Sequence, residues 1–215
     1  MNKKIRAFFK EIIPKTVVKR IRDEEALLKW YLDGQPVPPP DLIKQKIIRK
    51  FGRKNKIKTF LETGTAGGLM IKAVKNNFSK IISIELDDVL FENAKRNFAN
   101  YKNVTLIHGD SGKKLIEILP KISEPTLFWL DAHYSGEGTA KGEIETPIIK
   151  ELVTIFSREN KNDVILIDDA RCFDGTHDYP TVRQIQDLVN GYSYLSFRVE
   201  RDIMVIEPLS SYDNK

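Results

Sequence analysis

From Thr59 onward, apolar residues follow two alternating rhythms. Short runs rich in Ile, Val, Leu and Phe read as buried strands. After each comes a stretch with apolar positions three and four apart, the spacing of a helix face. The strands predicted are Thr59–Glu62, Ile81–Leu86, Val104–Ile107, Thr126–Asp131 and Val164–Asp168. The helices predicted after them are Leu69–Asn76, Val89–Asn97, Gly112–Leu119, Pro147–Phe156 and Thr181–Val189, with Thr146 as the cap before Pro147. Strand–helix alternation of this kind builds a parallel sheet with helices on both faces. Two further strands, Tyr192–Val199 and Asp202–Ile206, have almost nothing between them. So short a link forces antiparallel pairing and gives the sheet one reversed strand. The expectation is an α/β fold around a seven-stranded, mostly parallel sheet with an antiparallel last strand, preceded by an N-terminal helical extension.

That extension has its own pattern. Ile5, Phe8, Phe9, Ile12 and Ile13, then Val17, Val18 and Ile21, recur at helical spacing with Lys and Arg on the other face. Pro14 should kink or divide the helix, since it has no N–H to donate. Asp23–Asp33 reads as a further helical piece, and Gly34–Pro40 (GQPVPPP) as an extended linker. Asp41 stands where an N-cap acid would, ahead of a helix at Leu42–Phe51. The division expected is a basic amphipathic extension with its Pro-rich linker over residues 1–40, and a second unit over 41–215. The extension is expected to pack on that unit or on the partner of a homo-oligomer, because amphipathic helices usually face protein. The alternative is peripheral contact with an anionic membrane through residues 2–22.

Charge divides the chain in the same way. Residues 1–58 hold 17 Lys and Arg against 6 Asp and Glu, and the remainder 18 against 24, so a net +5 conceals an acidic body. Such a body does not suit a cleft that grips a phosphate backbone, and no nucleic-acid partner is expected. The basic run Lys44–Lys58 reads as a solvated helix face, with contact to phosphate groups as the alternative. No apolar run approaches the roughly eighteen residues needed to cross a bilayer. The one cysteine, Cys172, excludes an internal disulfide and points to a reducing, cytoplasmic setting.

Candidate chemistry gathers where strands end. The stretch Thr59–Gly68, TFLETGTAGG, passes from a strand through a glycine turn into the start of a helix. Glycines let a ligand approach the backbone, and a helix start offers free N–H groups. The turn lacks the G-x-G-x-x-G of dinucleotide folds, and Glu62 beside it suits a cationic ligand better than a pyrophosphate. Glu85 follows Gly64 by twenty-one residues, the distance at which a carboxylate meets a ribose in nucleoside-binding α/β folds. The third strand leads to Asp110 and Ser111. The fourth, FWLDAH, ends at Asp131 with His133 two residues on, and the fifth, VILIDDA, ends at Asp168 and Asp169. Three carboxylates at neighbouring strand ends make an oxygen site for a hard divalent cation such as Mg²⁺. The alternative is that they cap the following helices or pair with Arg171.

The succession ETG…G, IEL and HGDS resembles the cofactor half of a class I S-adenosylmethionine-dependent methyltransferase, over about Thr59–Pro208. The resemblance implies a Rossmann-like fold with S-adenosylmethionine as cofactor. Glu62 and the turn Gly64, Thr65, Gly67 and Gly68 would hold its methionine portion, Glu85 its ribose, and Asp110 and Ser111 its adenine. One Asp followed by an Asp-Asp pair, with the ETG turn, is similar to the macrocin O-methyltransferase group, which acts on sugar hydroxyls. The catechol type has Asp-Asn in place of the pair. This likeness implies Asp131, Asp168 and Asp169 as Mg²⁺ ligands and a small-molecule hydroxyl acceptor, a sugar first; the alternatives are a nucleic-acid or protein N-methyltransferase, or a non-catalytic module that keeps the fold for assembly or membrane docking. The shorter glycine turn and the longer loop Tyr134–Glu145 depart from that group and bear on the acceptor. A bound cation would lower the hydroxyl pKa, and His133 or Asp131 would take the proton. Loops Tyr134–Glu145 and Arg171–Tyr179 are the expected lids.

Overall fold

The computed structural model describes residues 15–132 and 146–209. His133, the loop Tyr134–Glu145 and the first fourteen residues, and with them most of the amphipathic stretch 2–22, lie outside the described residues.

One sheet contains β1 (Thr59–Thr63), β2 (Lys80–Glu85), β3 (Val104–His108), β4 (Thr126–Leu130), β5 (Val164–Ile167), β6 (Leu195–Glu200) and β7 (Ile203–Pro208). Their order is β3-β2-β1-β4-β5-β7-β6. The first five strands are parallel, and β7 alone is reversed, pairing antiparallel with both β5 and β6. This is the architecture that the alternation predicts.

Strands β1, β4 and β5 are buried along their whole length. Strands covered on both faces read as continuous apolar runs, which is why the sequence shows them so plainly. Successive residues serve opposite layers. Phe128 and Leu130 join Leu115, Leu152 and Ile185 in one cluster. Leu127 and Trp129 join Ile48, Phe51, Ile71 and Phe98 in the other. The first layer is covered by α5 (Ser111–Ile118), α6 (Ile148–Phe156) and α7 (Val182–Asn190), the second by α2 (Asp41–Lys54), α3 (Leu69–Val74) and α4 (Asp88–Phe98).

Helix starts depart from the sequence reading at two places. Pro40, not Asp41, is the N-cap of α2, and its carbonyl accepts from Ile43 N–H at 2.8 Å. Pro147 is itself the N-cap of α6 rather than its first residue, with its carbonyl accepting from Glu151 N–H at 3.1 Å. Two caps that were not anticipated do form. The Asp87 carboxylate accepts from Val89 and Leu90 N–H at 2.8 and 2.9 Å, and Thr181 and Gln184 make a reciprocal box. Strand β6 begins at Leu195 rather than Tyr192, whose ring packs against Phe156 instead. Arg201 and Asp202, both at positive φ, close the β6–β7 hairpin in two residues.

The helix α1 (Lys15–Leu32) is unbroken where two pieces were expected. Trp30 is 5% exposed and joins the α2 cluster, while its indole N–H donates to the Pro36 carbonyl at 2.6 Å. The linker therefore folds back on the helix end. Replacing Trp30 with Ala removes a large buried ring, and such truncations cost about 3 kcal/mol or more. Urea unfolding should show that loss. A change below about 1 kcal/mol would mean that α1 is not part of the cooperative unit.

Candidate active site

The strand order reverses direction between β1 and β4, and in open α/β sheets ligands bind beyond the carboxyl ends of strands at such a point. Here the ladder continues past the strands themselves. Gly64 N–H reaches Ile84 O at 2.9 Å, Gly109 reaches Glu85 O at 2.8 Å, Asp131 reaches Thr63 O at 3.0 Å and Asp168 reaches Leu130 O at 3.0 Å. Five strand ends are thus held in line, and their acids share one edge.

Glycine is obligatory at the centre of that edge. Gly64 has φ +86°, and a Cβ there would lie 2.5 Å from the Asp131 carbonyl oxygen. Gly68, at φ +66°, would drive a Cβ to 2.5 Å from the Phe98 ring. Around Gly67 there is open space. Thr65 is buried with its hydroxyl 2.5 Å from Ser83 Oγ.

Two neighbouring acids are handled differently. Glu62 is 1% exposed and accepts from Ser83 Oγ at 2.6 Å. Burial pushes its carboxyl up to about 8, opposed by the Ser83 hydrogen bond and helped by the nearby charges of Asp131 and Glu85. Glu85 is also buried, but its two oxygens accept from Ala66 N–H at 2.7 Å and Asp87 N–H at 2.9 Å. It therefore ties the glycine turn to β2. Asp110 is the N-cap of α5, with Ser111 buried behind it, and the Gly109 bond sets both beside Glu85.

On the other side of Gly64, the pairing of Leu130 with Ile167 sets Asp131 beside Asp168, at a strand spacing of about 4.8 Å. Carboxylates suit Mg²⁺, but these are already engaged. Lys44 Nζ, from α2, donates to Asp168 Oδ2 at 2.6 Å and to Asp169 Oδ1 at 3.0 Å. Asp168 Oδ1 accepts from Asp169 N–H at 2.8 Å, and Arg171 Nη1 donates to Asp169 Oδ1 at 2.8 Å. Arg171 also pairs with Asp202 from the β6–β7 turn. Burial alone would lower the Lys44 ammonium, but Asp168 and Asp169 push it up to about 12, so it is charged at neutral pH. Burial raises Asp168, with Lys44 opposing and Asp169 adding to the rise.

A divalent ion would compete with the Lys44 ammonium for these oxygens and be repelled by it, so it could be held by both carboxylates only by displacing Lys44. Among the described residues, no group of three His, Cys, Asp or Glu is arranged to hold a metal. With Lys44 in place, the Asp168–Asp169 pair already holds a cation of the chain's own and does not fit Mg²⁺ beside it.

Lys44 and Asp202 were missed by the sequence reading, whereas the Arg171 pairing was its stated alternative. A signal for Lys44 existed. At about 100° per residue it falls inside the helical arc bounded by Ile43 and Ile48, both buried. The loop Arg171–Tyr179 is anchored from within: Phe173 and Tyr179 are buried and pack edge to face, while His177 is exposed.

The Glu62 shift has a checkable sign. Between the ordinary Glu value and about 8, the folded state holds a proton that the unfolded chain has lost. That contribution is fully present at low pH and is lost as pH rises through about 8. The Tm of the ligand-free protein should therefore fall from about pH 5 to about pH 8, and Glu62→Gln should flatten the slope. Equal slopes would place the linkage elsewhere.

No protein-family model and no curated protein sequence matches the chain. Solved structures do. An O-methyltransferase from Bacillus cereus in complex with SAH aligns at a TM-score of 0.62 and 17% identity, over 93% of this chain and 93% of that one. The O-methyltransferase TomG from Streptomyces achromogenes, involved in tomaymycin synthesis and in complex with SAM, aligns at 0.59 and 16%, over 98% and 100%. SAH-bound methyltransferase PaMTH1 from Podospora anserina aligns at 0.57 and 16%, over 93% and 99%. At these identities the likeness establishes the fold: this chain adopts the class I methyltransferase fold that its ETG, IEL and HGDS motifs resemble.

Proposed function

We propose that the protein is a methyltransferase that moves a methyl group from S-adenosylmethionine to a hydroxyl of a small molecule. One observation carries the reading. A turn that has no room for a side chain at Gly64 or Gly68 meets two buried carboxylates, Glu62 and Glu85, in a fold whose solved neighbours include SAM and SAH complexes. When bound, S-adenosylmethionine supplies a methyl already activated by its sulfonium, and its departure leaves a neutral thioether.

The chain's own residues do the rest. Glu62 and the Gly64–Gly68 turn favour a cationic amino-acid portion, and binding a positive charge there draws the Glu62 proton off. Glu85 addresses the ribose, and Asp110 with Ser111 flanks the base. In-line attack breaks the S–CH₃ bond, forms an O–CH₃ bond and releases the hydroxyl proton. That proton goes to His133, or to Asp131 at the end of β4. The acidic strand-end edge disfavours a polyphosphate acceptor, and a sugar hydroxyl is the acceptor proposed. With Cys172 free, a cytoplasmic setting is proposed too; among the described residues no helix is long and apolar enough to cross a membrane.

Calorimetry should show S-adenosylmethionine binding to the wild type. Glu85→Gln should weaken it by about tenfold or more, the worth of a charged hydrogen bond. Absence of heat with both S-adenosylmethionine and S-adenosylhomocysteine would end the reading.

A further inference from the structure

The edge at Asp168 and Asp169 has a cation of its own. Lys44 comes from α2, 124 residues before Asp168, and its ammonium lies 2.6 Å from one carboxylate and 3.0 Å from the next. The side chain is 12% exposed. It starts from the apolar arc of α2, beside Ile43, Ile47 and Ile48, all buried, so its stem is packed rather than free to swing into solvent. Arg171 closes the far side of Asp169 and joins it to Asp202. One positive centre between two adjacent carboxylates is the arrangement a bridging metal ion would make, with an ammonium in the bridge.

We propose that Lys44 is the resident cation of this site, standing where a divalent ion would otherwise bridge Asp168 and Asp169, and that methyl transfer here proceeds without metal. An ammonium has three N–H donors. Two serve Asp168 and Asp169, and the third is left for the acceptor oxygen. In this role Lys44 holds the hydroxyl and offsets the negative charge that grows on it as its proton leaves. The O–H bond breaks, the proton passes to Asp131, the O–CH₃ bond forms as S–CH₃ breaks, and Lys44 stays protonated throughout. The transfer step rests on the methyltransferase reading above, whereas occupancy of the bridge by an ammonium stands apart from it.

Mn²⁺ is the probe, followed by its electron paramagnetic resonance signal on the full chain. Wild-type protein should leave the free Mn²⁺ signal intact. Lys44→Ala should take up Mn²⁺ with an affinity about tenfold or more above wild type, and Asp168→Asn in that background should abolish the gain. Lys44→Gln, which keeps bulk and hydrogen bonding while removing charge, should show the same gain and serves if the alanine variant does not fold. Uptake by wild type equal to that of the variants, or no gain in either variant, overturns the proposal. So does loss of wild-type methyl transfer on adding EDTA. Failure to bind S-adenosylmethionine, with the Mn²⁺ pattern as expected, overturns the methyltransferase reading and leaves the ammonium bridge standing.

Discussion

Carboxylates crowded on one edge of a sheet repel one another, and the site is built around relieving that repulsion. Aligned parallel strands bring Glu62, Glu85, Asp131, Asp168 and Asp169 to the same end, and the β6–β7 turn adds Asp202. An unpaired buried charge costs several kcal/mol, so each acid needs an answer. Glu62 keeps a proton. Glu85 accepts two backbone N–H groups. Asp168, Asp169 and Asp202 share Lys44 and Arg171. These answers leave different chemistry behind: a carboxyl that can release its proton when a cation binds, a carboxylate locked to the glycine turn, and a salt-bridged strip whose lysine has one N–H to spare.

The backbone sets the spacing of that edge. Gly64 lets the β1 turn lie directly against the carbonyl of Asp131, so the two halves of the sheet meet with no side chain between them. Thr63, just before it, is fully buried with a hydroxyl that finds no partner among the described residues, and Ser83 serves both Thr65 and Glu62. Packing of this density fixes the acids relative to one another, which is what positioning a reacting methyl and oxygen requires.

The fold was legible because its signals are local. A strand buried on both faces must be apolar throughout, and the glycine turn must carry glycines. Element existence and order followed from that, while the starts of α2 and α6 slipped by a residue because prolines took the cap positions. The acids at the strand ends were legible for the same reason. Their partners were not. A basic run looks like a solvated face unless the helix is projected onto its axis, and even then Lys44 reveals only that it is buried. That it meets Asp168 and Asp169 depends on α2 reaching the carboxyl end of β5, between segments that share no local pattern. Asp202 was hidden likewise, because a hairpin turn gives no hint of the edge to which it is returned.

The long separation between Lys44 and its acids also orders events in time. A ribosome adds about 5–20 residues per second, so roughly ten seconds pass between synthesis of α2 and of β5. Through that interval the Lys44 ammonium has neither of its carboxylates, while the apolar stripe beside it can already meet Ile71, Phe98 and then Trp129. The cation must stay hydrated until the fifth strand brings Asp168 and Asp169, and the cluster closes only when the β6–β7 turn adds Asp202 to Arg171.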